Sequence, residues 1–383
     1  MQDKYRVWAE IDLDALTKNY QTAKRLAAPA RVMPIIKADA YGHGAVMVAK
    51  ALINADADCF GVATPEEAFQ LRRNGISTDI LLLEPAPAKQ VYDLVKAGII
   101  LCVSDLETAR RYVADAPNGV SLRVHIKVDT GMNRLGLPWD RATGQIDTIT
   151  KIPGLKIEGI FTHFAMADEP EHTLTQEQYF RFASCCDALQ KAGVYIPVRH
   201  CSNSAAILSR PKMMENLVRP GIMLYGYNPI PGNPEGQALF PVLTLRTSII
   251  RCEDLENGDG VSYGHIWHAK RGSRIATIPV GYADGLNRRL SGRIQFLLHG
   301  RPVPQIGRVC MDMCVLDITG FPEAKNGDIV TVMDGKTQTS AQDHAGLLDT
   351  IPYETLCAIG RRVPRVYLQN GKIIKEICDI DNA

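Results

Sequence analysis

One segment sets the pattern for the first half of the chain: Val32-Met33-Pro34-Ile35-Ile36-Lys37-Ala38-Asp39-Ala40-Tyr41-Gly42-His43-Gly44. Its apolar run, residues 32–36, is typical of a buried strand, and Gly42 and Gly44 indicate a turn before an Ala-rich helical segment. Because burial disfavours a charged ammonium group, Lys37 at the end of such a strand tends to lose its proton or to form a Schiff base with a carbonyl cofactor. The alternative is a strand-end lysine whose amine simply reaches water.

Similar apolar runs recur along the chain, at residues 32–36, 59–63, 79–83, 99–103, 122–128, 155–162, 196–201 and 217–224. Stretches with helical spacing, such as residues 65–74 and 176–192, lie between them. Strands that alternate with helices predict βα units and a parallel sheet, and eight units in about 240 residues predict a closed (β/α)₈ barrel of the TIM type. An open doubly wound sheet is the competing α/β architecture, but Gly42-His43-Gly44 does not continue the G-x-G-x-x-G pattern typical of it.

The pattern changes after a linker rich in Pro and Gly, residues 228–236. Alternation of apolar and polar residues then predicts strands at 243–252, 274–279, 293–298, 313–318 and 328–333. Residues 6–13 alternate in the same way and precede the first barrel helix. We therefore predict a barrel at residues 14–236 and a C-terminal mostly-β domain at residues 237–383, with an N-terminal strand, residues 1–13, associated with the β domain.

Composition narrows the class of protein. The chain has 383 residues, of which 46% are hydrophobic and 22% charged, and its net charge of +1 gives no basic field that would attract nucleic acid or an acidic membrane. The ten cysteines include no C-x-x-C pair, which favours free thiols and predicts no metal site. No apolar run approaches the roughly 20 residues that span a bilayer, and the first residues lack the apolar core of a signal peptide. We expect a cytoplasmic protein.

The seventh and eighth predicted strands end in groups that suit an anion. Barrel enzymes place their chemistry at the carboxyl ends of the strands and often bind phosphate after strands seven and eight. Asn203 and Ser204 offer amide and hydroxyl groups after the seventh strand, and Gly221 and Ile222 offer backbone N–H groups after the eighth. Each pair, taken alone, is also compatible with an ordinary turn.

Other candidate groups have equally plain alternatives. Arg134 lies in a loop after the fifth strand, where its guanidinium could hold a carboxylate or be solvated. His163 follows the sixth strand between two phenylalanines, as a core histidine would, and Arg219 ends the eighth, where it could serve as a structural ion-pair partner. In the β domain, Tyr263 stands at a turn between small residues.

Together these residues resemble the alanine racemase family. Residues 36–44 are similar to its pyridoxal-phosphate signature, and the resemblance covers nearly the whole chain. It continues through Lys127, Arg134, Phe161-Thr162-His163-Phe164-Ala165, Asn203-Ser204, Arg219-Pro220-Gly221-Ile222, Ser262-Tyr263-Gly264, Gly281-Tyr282-Ala283-Asp284-Gly285, Gly307-Arg308-Val309-Cys310-Met311-Asp312 and Pro352-Tyr353-Glu354.

The resemblance implies a homodimer that interconverts L-alanine and D-alanine on pyridoxal 5'-phosphate and supplies D-alanine for peptidoglycan. It assigns Lys37 to hold the cofactor and to act as one catalytic acid/base, with Tyr263, supplied by the partner subunit, as the other. A phenol is a poor base near neutral pH, and the resemblance implies that a network of His163 and Arg219 provides the positive charge that it needs.

The same resemblance implies the remaining binding residues. Arg219 faces the ring nitrogen of the cofactor, and Arg134 lies near the ring hydroxyl and the substrate carboxylate, which the backbone N–H of Met311 also binds. The cofactor-binding set is completed by Tyr41, His163, Asn203, Ser204, Gly221, Ile222 and Tyr353, most of them at the phosphate. Lys127 matches a lysine that is often N-carboxylated in the family.

Two other functions are compatible with parts of the sequence. A barrel-type pyridoxal-phosphate decarboxylase shares the domain plan, but it is expected to set an acidic residue, not an arginine, against the ring nitrogen. A pyridoxal-phosphate carrier protein resembles the barrel alone and lacks a β domain with a residue such as Tyr263.

Overall fold

Near its start, the described part of the chain has a strand that leads directly into a helix. The structure, a computed structural model, describes residues 4–335 and 339–378. Strand β1 is Val7–Asp12 and helix α1 is Leu13–Ala27. The Asp12 carboxylate accepts hydrogen bonds from the N–H groups of Asp14 and Ala15, both at 2.9 Å, and so caps the free N–H groups of the first turn of α1.

Parallel strands then form a closed barrel. Its strands are β2 Arg31–Val32, β3 Cys59–Val62, β4 Asp79–Leu82, β5 Ile99–Val103, β6 Leu122–Asp129, β7 Leu137–Pro138, β8 Leu155–Phe161, β9 Val198–Asn203 and β10 Leu217–Arg219. They pair in the order β2-β10-β9-β8-β6-β5-β4-β3, and β7 pairs with β6 outside this path. A parallel bridge between Ile35 and Gly61 joins the two ends of the series. The predicted barrel is confirmed.

Helices follow most strands of the barrel, and the last of them, α10, leads to the β domain. They are α2 Lys37–Gly42, α3 Ala45–Asn54, α4 Pro65–Arg73, α5 Val91–Lys96, α6 Leu106–Asp115, α7 Trp139–Thr150, α8 Leu174–Lys191, α9 Ser204–Ser209 and α10 Pro234–Gln237. Helix α4 begins with a capping box of Thr64 and Glu67, whose side chains bond to each other's backbone N–H groups.

The eighth predicted strand, residues 217–224, is too long. The ladder ends at Arg219, because Pro220 has no N–H to donate and Ile222–Tyr225 form a 3₁₀ helix. The first predicted strand is also shorter than expected, since only Arg31–Val32 and the bridge at Ile35 pair with neighbours.

The rest of the described chain forms the mostly-β domain that the sequence predicts. Its strands are β11 Leu243–Ser248, β12 Arg251–Asp254, β13 Gly260–Val261, β14 Trp267–His268, β15 Arg274–Ile278, β16 Gln295–Leu298, β17 Arg301–Ile306, β18 Cys314–Asp317, β19 Ile329–Met333, β20 Arg365–Gln369 and β21 Lys372–Ile377, with helices α11 Ala341–Leu348 and α12 Pro352–Cys357. The single strand predicted at 243–252 is two strands. Strand β1 pairs with β11 and β20, so it lies inside this sheet.

The β domain contacts the barrel near Lys37. Tyr353 of α12 lies 5.7 Å, centroid to centroid, from the ring of Tyr41 in α2. Arg365 of β20 donates to the carbonyl of Gly42 at 3.1 Å. The β domain therefore helps to hold the segment that follows Lys37. Within the two described ranges, no helix is both long and apolar enough to cross a membrane.

Candidate active site

Several of the predicted site residues surround His163 at the carboxyl ends of the barrel strands. Burial lowers the pKa of His163 well below its ordinary value, and the positive charges of Arg219, Lys127, Arg134 and Lys37 lower it further. His163 is therefore neutral near pH 7. The positive charge expected from a His163–Arg219 network thus resides on the arginine, and His163 acts as its neutral neighbour.

Lys37 begins a turn of unusual backbone geometry. The next four residues, 38–41, all have φ between 51° and 55°, which is the left-handed helical conformation. A non-glycine residue in this conformation costs roughly 1–2 kcal/mol. The carboxylate of Glu67 accepts the N–H of Ala38 at 2.6 Å, and the carboxylate of Asp39 accepts the N–H of Ala45 at 2.7 Å. These bonds fix the turn that follows the half-buried Lys37, whose charge acts on His163.

The Tyr41 hydroxyl lies against Gly221, in the region predicted to bind phosphate. A Cβ built on Gly221 would lie 2.7 Å from this hydroxyl oxygen, so only glycine leaves room for it. The Ser204 hydroxyl accepts the N–H groups of Gly221 at 2.8 Å and Met223 at 3.3 Å. Asn203 caps α9 by accepting the N–H of Ala206 at 3.0 Å. Hydroxyl and backbone N–H groups thus converge there.

Arg219 is buried, with 4% of its surface exposed. Its Nη2 donates to the carbonyls of Thr162 at 2.7 Å and Cys201 at 3.1 Å, and its Nη1 donates to Nδ1 of His200 at 2.9 Å. Nη2 also lies 3.4 Å from Nδ1 of His163. Burial lowers the pKa of Arg219 to about 10, so the guanidinium keeps its proton near pH 7 and only donates.

Arg134 extends from a loop with a well-defined backbone. The Asp129 carboxylate accepts the N–H groups of Gly131 at 2.9 Å, Asn133 at 3.0 Å and Arg134 at 3.1 Å. The Arg134 side chain is exposed, whereas Lys127 is buried with its Nζ 5.5 Å from the ring centroid of Phe161. Burial lowers the pKa of Lys127, and nearby Arg134 and Arg219 add to this effect.

Tyr263 and Met311 form a second, exposed group. Their side chains are 70% and 53% exposed and line one surface depression together with Cys310 and Met313, all in the β domain. Tyr353, by contrast, lies near Tyr41, and burial raises the pKa of its hydroxyl to about 12. Among the described residues, no group of three or more His, Cys, Asp or Glu side chains could hold a metal ion.

Some residues of this site lie outside the motifs that predict it. Glu67 holds the turn after Lys37, and Asp129 holds the Arg134 loop. His200 contacts Arg219 and in turn His125. The only available signal was the presence of two histidines inside predicted buried strands.

The chain matches known proteins over almost its whole length. It matches the family models of the alanine racemase N-terminal domain over residues 11–229 and the C-terminal domain over residues 242–367. Alanine racemase 1 from Clostridium acetobutylicum is 40% identical, over 96% of this chain and 97% of the relative. The alanine racemase of Halothermothrix orenii is 43% identical, over 94% and 96%.

Solved structures of alanine racemases have the same fold over almost the whole chain. The alanine racemase of Clostridium difficile 630 superposes with a TM-score of 0.93 at 38% identity, covering 98% of both chains. The alanine racemase of Bacillus anthracis with bound L-Ala-P superposes with a TM-score of 0.91 at 34% identity, again covering 98% of both chains. The resemblance predicted from residues 36–44 and the later motifs is confirmed, and the chain belongs to the alanine racemase family.

Proposed function

We propose that this protein interconverts L-alanine and D-alanine with pyridoxal 5'-phosphate as its cofactor. The observation that carries the proposal is the half-buried Lys37, which precedes a left-handed turn and whose charge, like that of the buried, donor-only Arg219, acts on His163. Relatives of similar length are named alanine racemases. The structure of one such racemase contains L-Ala-P.

The residues around Gly221 fit a phosphate group. Because Gly221 has no side chain, the Tyr41 hydroxyl lies close to the backbone there, and the hydrogen-bond donors of this region are close together. Tyr41, Ser204, Gly221, Ile222 and Tyr353 would hold the phosphate. Asn203 would keep Ser204 in place by capping α9.

Racemisation requires that a proton leave one face of Cα and return on the other. Pyridoxal phosphate supplies an electron sink for the electron pair left at Cα. We propose that the Lys37 amine exchanges the proton on one face and that the Tyr263 phenol of a second copy of the chain exchanges it on the other. The cationic groups around the barrel mouth would favour the phenolate.

Arg219 would face the ring nitrogen of the cofactor. Because a guanidinium only donates, it would keep that nitrogen unprotonated and would limit electron withdrawal from Cα. The proton would then return promptly, which favours racemisation over other reactions. A decarboxylase is expected to place an acidic residue there, so Arg219 argues for the racemase.

The exposed group in the β domain supports a homodimer with shared active sites. Tyr263, Ile266, Met311 and Met313 are 70%, 48%, 53% and 47% exposed. Apolar groups exposed together often mark a protein–protein contact. In the proposed dimer, Met311 N–H of one chain and Arg134 of the other bind the substrate carboxylate.

The division into a barrel, residues 14–236, and a β domain, residues 1–13 and 237–383, is part of this proposal.

We further propose that the enzyme works in the cytoplasm and that its D-alanine supplies peptidoglycan synthesis.

The test of the activity itself is circular dichroism of L-alanine incubated with the protein and pyridoxal phosphate. We expect the signal to decay to zero with the wild type and to persist with Lys37→Ala. A stable signal with the wild type, or release of carbon dioxide from a basic amino acid, would contradict the proposal.

A further inference from the structure

Three buried side chains form a hydrogen-bonded series through the barrel interior. Nη1 of Arg219 lies 2.9 Å from Nδ1 of His200, and Nε2 of His200 lies 2.8 Å from Nδ1 of His125. Arg219, His200 and His125 are only 4%, 0% and 5% exposed. Because the series is shielded from solvent, the groups themselves set the direction of each hydrogen bond.

That direction follows from the chemistry of the arginine. A guanidinium only donates, so Nδ1 of His200 must accept. A neutral imidazole carries one ring proton, which therefore sits on Nε2 of His200 and is donated to Nδ1 of His125. His125 must then carry its own proton on Nε2. Burial lowers the pKa of His125 to about 4 and, together with the charge of Arg219, lowers the pKa of His200 well below its ordinary value, so both rings are neutral near pH 7.

We propose that His125 is a positioning residue for the reaction at the barrel mouth: by accepting from Nε2 of His200 it stabilises the tautomer whose Nδ1 accepts from Arg219, and so helps to hold the Arg219 guanidinium in place. This inference rests on the proposed racemase function. Without the acceptor at position 125, the Nε2–H of His200 loses its partner, so the tautomer with the proton on Nδ1, which faces an N–H of Arg219, becomes more populated. The carbonyls of Thr162 and Cys201 both bind Nη2, whereas Nη1 is the atom bonded to His200.

The surrounding backbone makes a defined place for the His125 ring. A Cβ built on Gly159 of β8 would lie 2.5 Å from ring atoms of His125, so the glycine provides the space. The β6–β8 register shifts between Val124 and His125. Phe161 stacks on His200 with the ring centroids 4.8 Å apart and an angle of 5° between the planes. Packing thus fixes the ring positions and leaves the positions of the protons to the hydrogen bonds.

The far side of His125 faces groups that already have partners. His125 lines a cavity of about 240 Å³ at the amino-terminal ends of the strands, together with Asp79, Arg123 and Glu158. Arg123 pairs with Asp79 and with Glu158, each at 2.7 Å. These paired charges leave His200 as the hydrogen-bond partner of Nδ1 of His125.

The first test measures the tautomer in the protein without cofactor. We would record ¹⁵N NMR spectra of histidine-labelled protein near pH 7 and assign the His200 ring by its loss in His200→Gln. We expect wild-type His200 to be protonated on Nε2 and unprotonated on Nδ1. His125→Phe should increase the Nδ1-protonated population, whereas His125→Asn, which keeps an acceptor near the Nδ1 position, should retain the wild-type pattern.

The second test separates kcat from KM for L-alanine racemisation by the loaded enzyme. His125→Phe should lower kcat about tenfold, the order of loss expected when one hydrogen bond that holds a positioning group is removed, with KM nearly unchanged, and His125→Asn should restore most of the rate. Protonation of wild-type His200 on Nδ1 would overturn the proposal, as would wild-type kcat and an unchanged tautomer in His125→Phe. If His125→Phe does not fold, the wild-type spectrum and His125→Asn still decide. A wild type with no racemase activity would instead refute the proposed function.

Discussion

Gly221 shows how the absence of one side chain shapes the candidate active site. A Cβ built on Gly221 would lie 2.7 Å from the Tyr41 hydroxyl oxygen. The Gly221 N–H donates to the Ser204 hydroxyl at 2.8 Å. We predict that Gly221→Ala weakens binding of pyridoxal phosphate about tenfold, which corresponds to about 1.4 kcal/mol, because the Tyr41 hydroxyl must move away. Titration of the unloaded protein with cofactor, followed by absorbance, would measure the change.

Gly144 provides the control for this prediction. It lies in α7, and a Cβ built there would meet nothing within 4 Å in the described part of the chain. Gly144→Ala should therefore leave cofactor affinity unchanged and raise the free energy of unfolding by about 1 kcal/mol, the difference in helix propensity. Equal cofactor affinity in Gly221→Ala and Gly144→Ala would contradict the assignment of Gly221 to the phosphate site.

Single candidate residues can be recognised in the sequence more easily than the contacts between them. Lys37 and Arg219 were noted as charged groups at the ends of apolar strands and Arg134 as a loop residue, and their site roles came from the family resemblance. The contact between His200 and His125 joins residues 75 positions apart and depends on the register of β6, β8 and β9. No local pattern contains that register.

Among the elements, the left-handed turn at residues 38–41 is the most unusual. Ala38 is exposed and has φ 51°, a conformation that glycine adopts without the penalty paid by alanine. We predict that Ala38→Gly raises the free energy of unfolding by about 0.5–1 kcal/mol, because the relief of strain exceeds the entropy that glycine adds to the unfolded chain. Urea denaturation would measure it.

The matched control is an exposed alanine in a right-handed helix. Ala114 in α6 meets this condition, and Ala114→Gly should lower the free energy of unfolding by up to about 1 kcal/mol. Opposite signs for the two substitutions are the expected result. A decrease of similar size in both would mean that the turn stores little strain.

The elements differ in how far sequence predicted them. The strands that are buried on both faces were predicted within a residue or two, as β5 shows. The eighth strand was extended past Arg219 because its apolar residues continue into a 3₁₀ helix, and apolar runs alone do not separate the two. The left-handed turn was not predicted, since its Ala-Asp-Ala-Tyr sequence is also compatible with an ordinary helix.

The whole molecule buries several neutral histidines, which makes its stability depend on pH. Burial lowers the pKa of His43, His125 and His344 to about 4 each, whereas an unfolded chain titrates near 6.5. Between these values the unfolded state binds more protons, so the free energy of unfolding falls as the pH drops from about 7 to 4, by up to about 1.4 kcal/mol per pH unit for each histidine. Above the unfolded pKa these groups add no pH dependence.

Removing one buried histidine should reduce this slope. In His43→Asn the amide N–H can replace Nδ1, which lies 3.0 Å and 2.9 Å from the carbonyls of Ala40 and Tyr41. We predict a slope lower by about 1.4 kcal/mol per pH unit near pH 5, measured by denaturant unfolding of unloaded protein. A slope in His43→Asn equal to that of the wild type would contradict this prediction.

At the same scale, the proposed dimer divides each active site between two chains. Lys37 lies in the barrel mouth, whereas Tyr263 is 70% exposed, in a surface depression lined by residues of the β domain. In a symmetric dimer with shared sites, each site takes Lys37 from one chain and Tyr263 from the other. A hybrid of Lys37→Ala and Tyr263→Phe chains then contains one site with both substitutions and one intact site.

The most direct measurement of this arrangement is racemase activity after equal co-expression of the two variants. Each variant alone should be nearly inactive. The mixture should recover about a quarter of the wild-type activity, because half of the dimers are hybrids and each hybrid has one intact site. If both residues served the site of their own chain, every hybrid site would carry a substitution, and a mixture no more active than the separate variants would contradict the account.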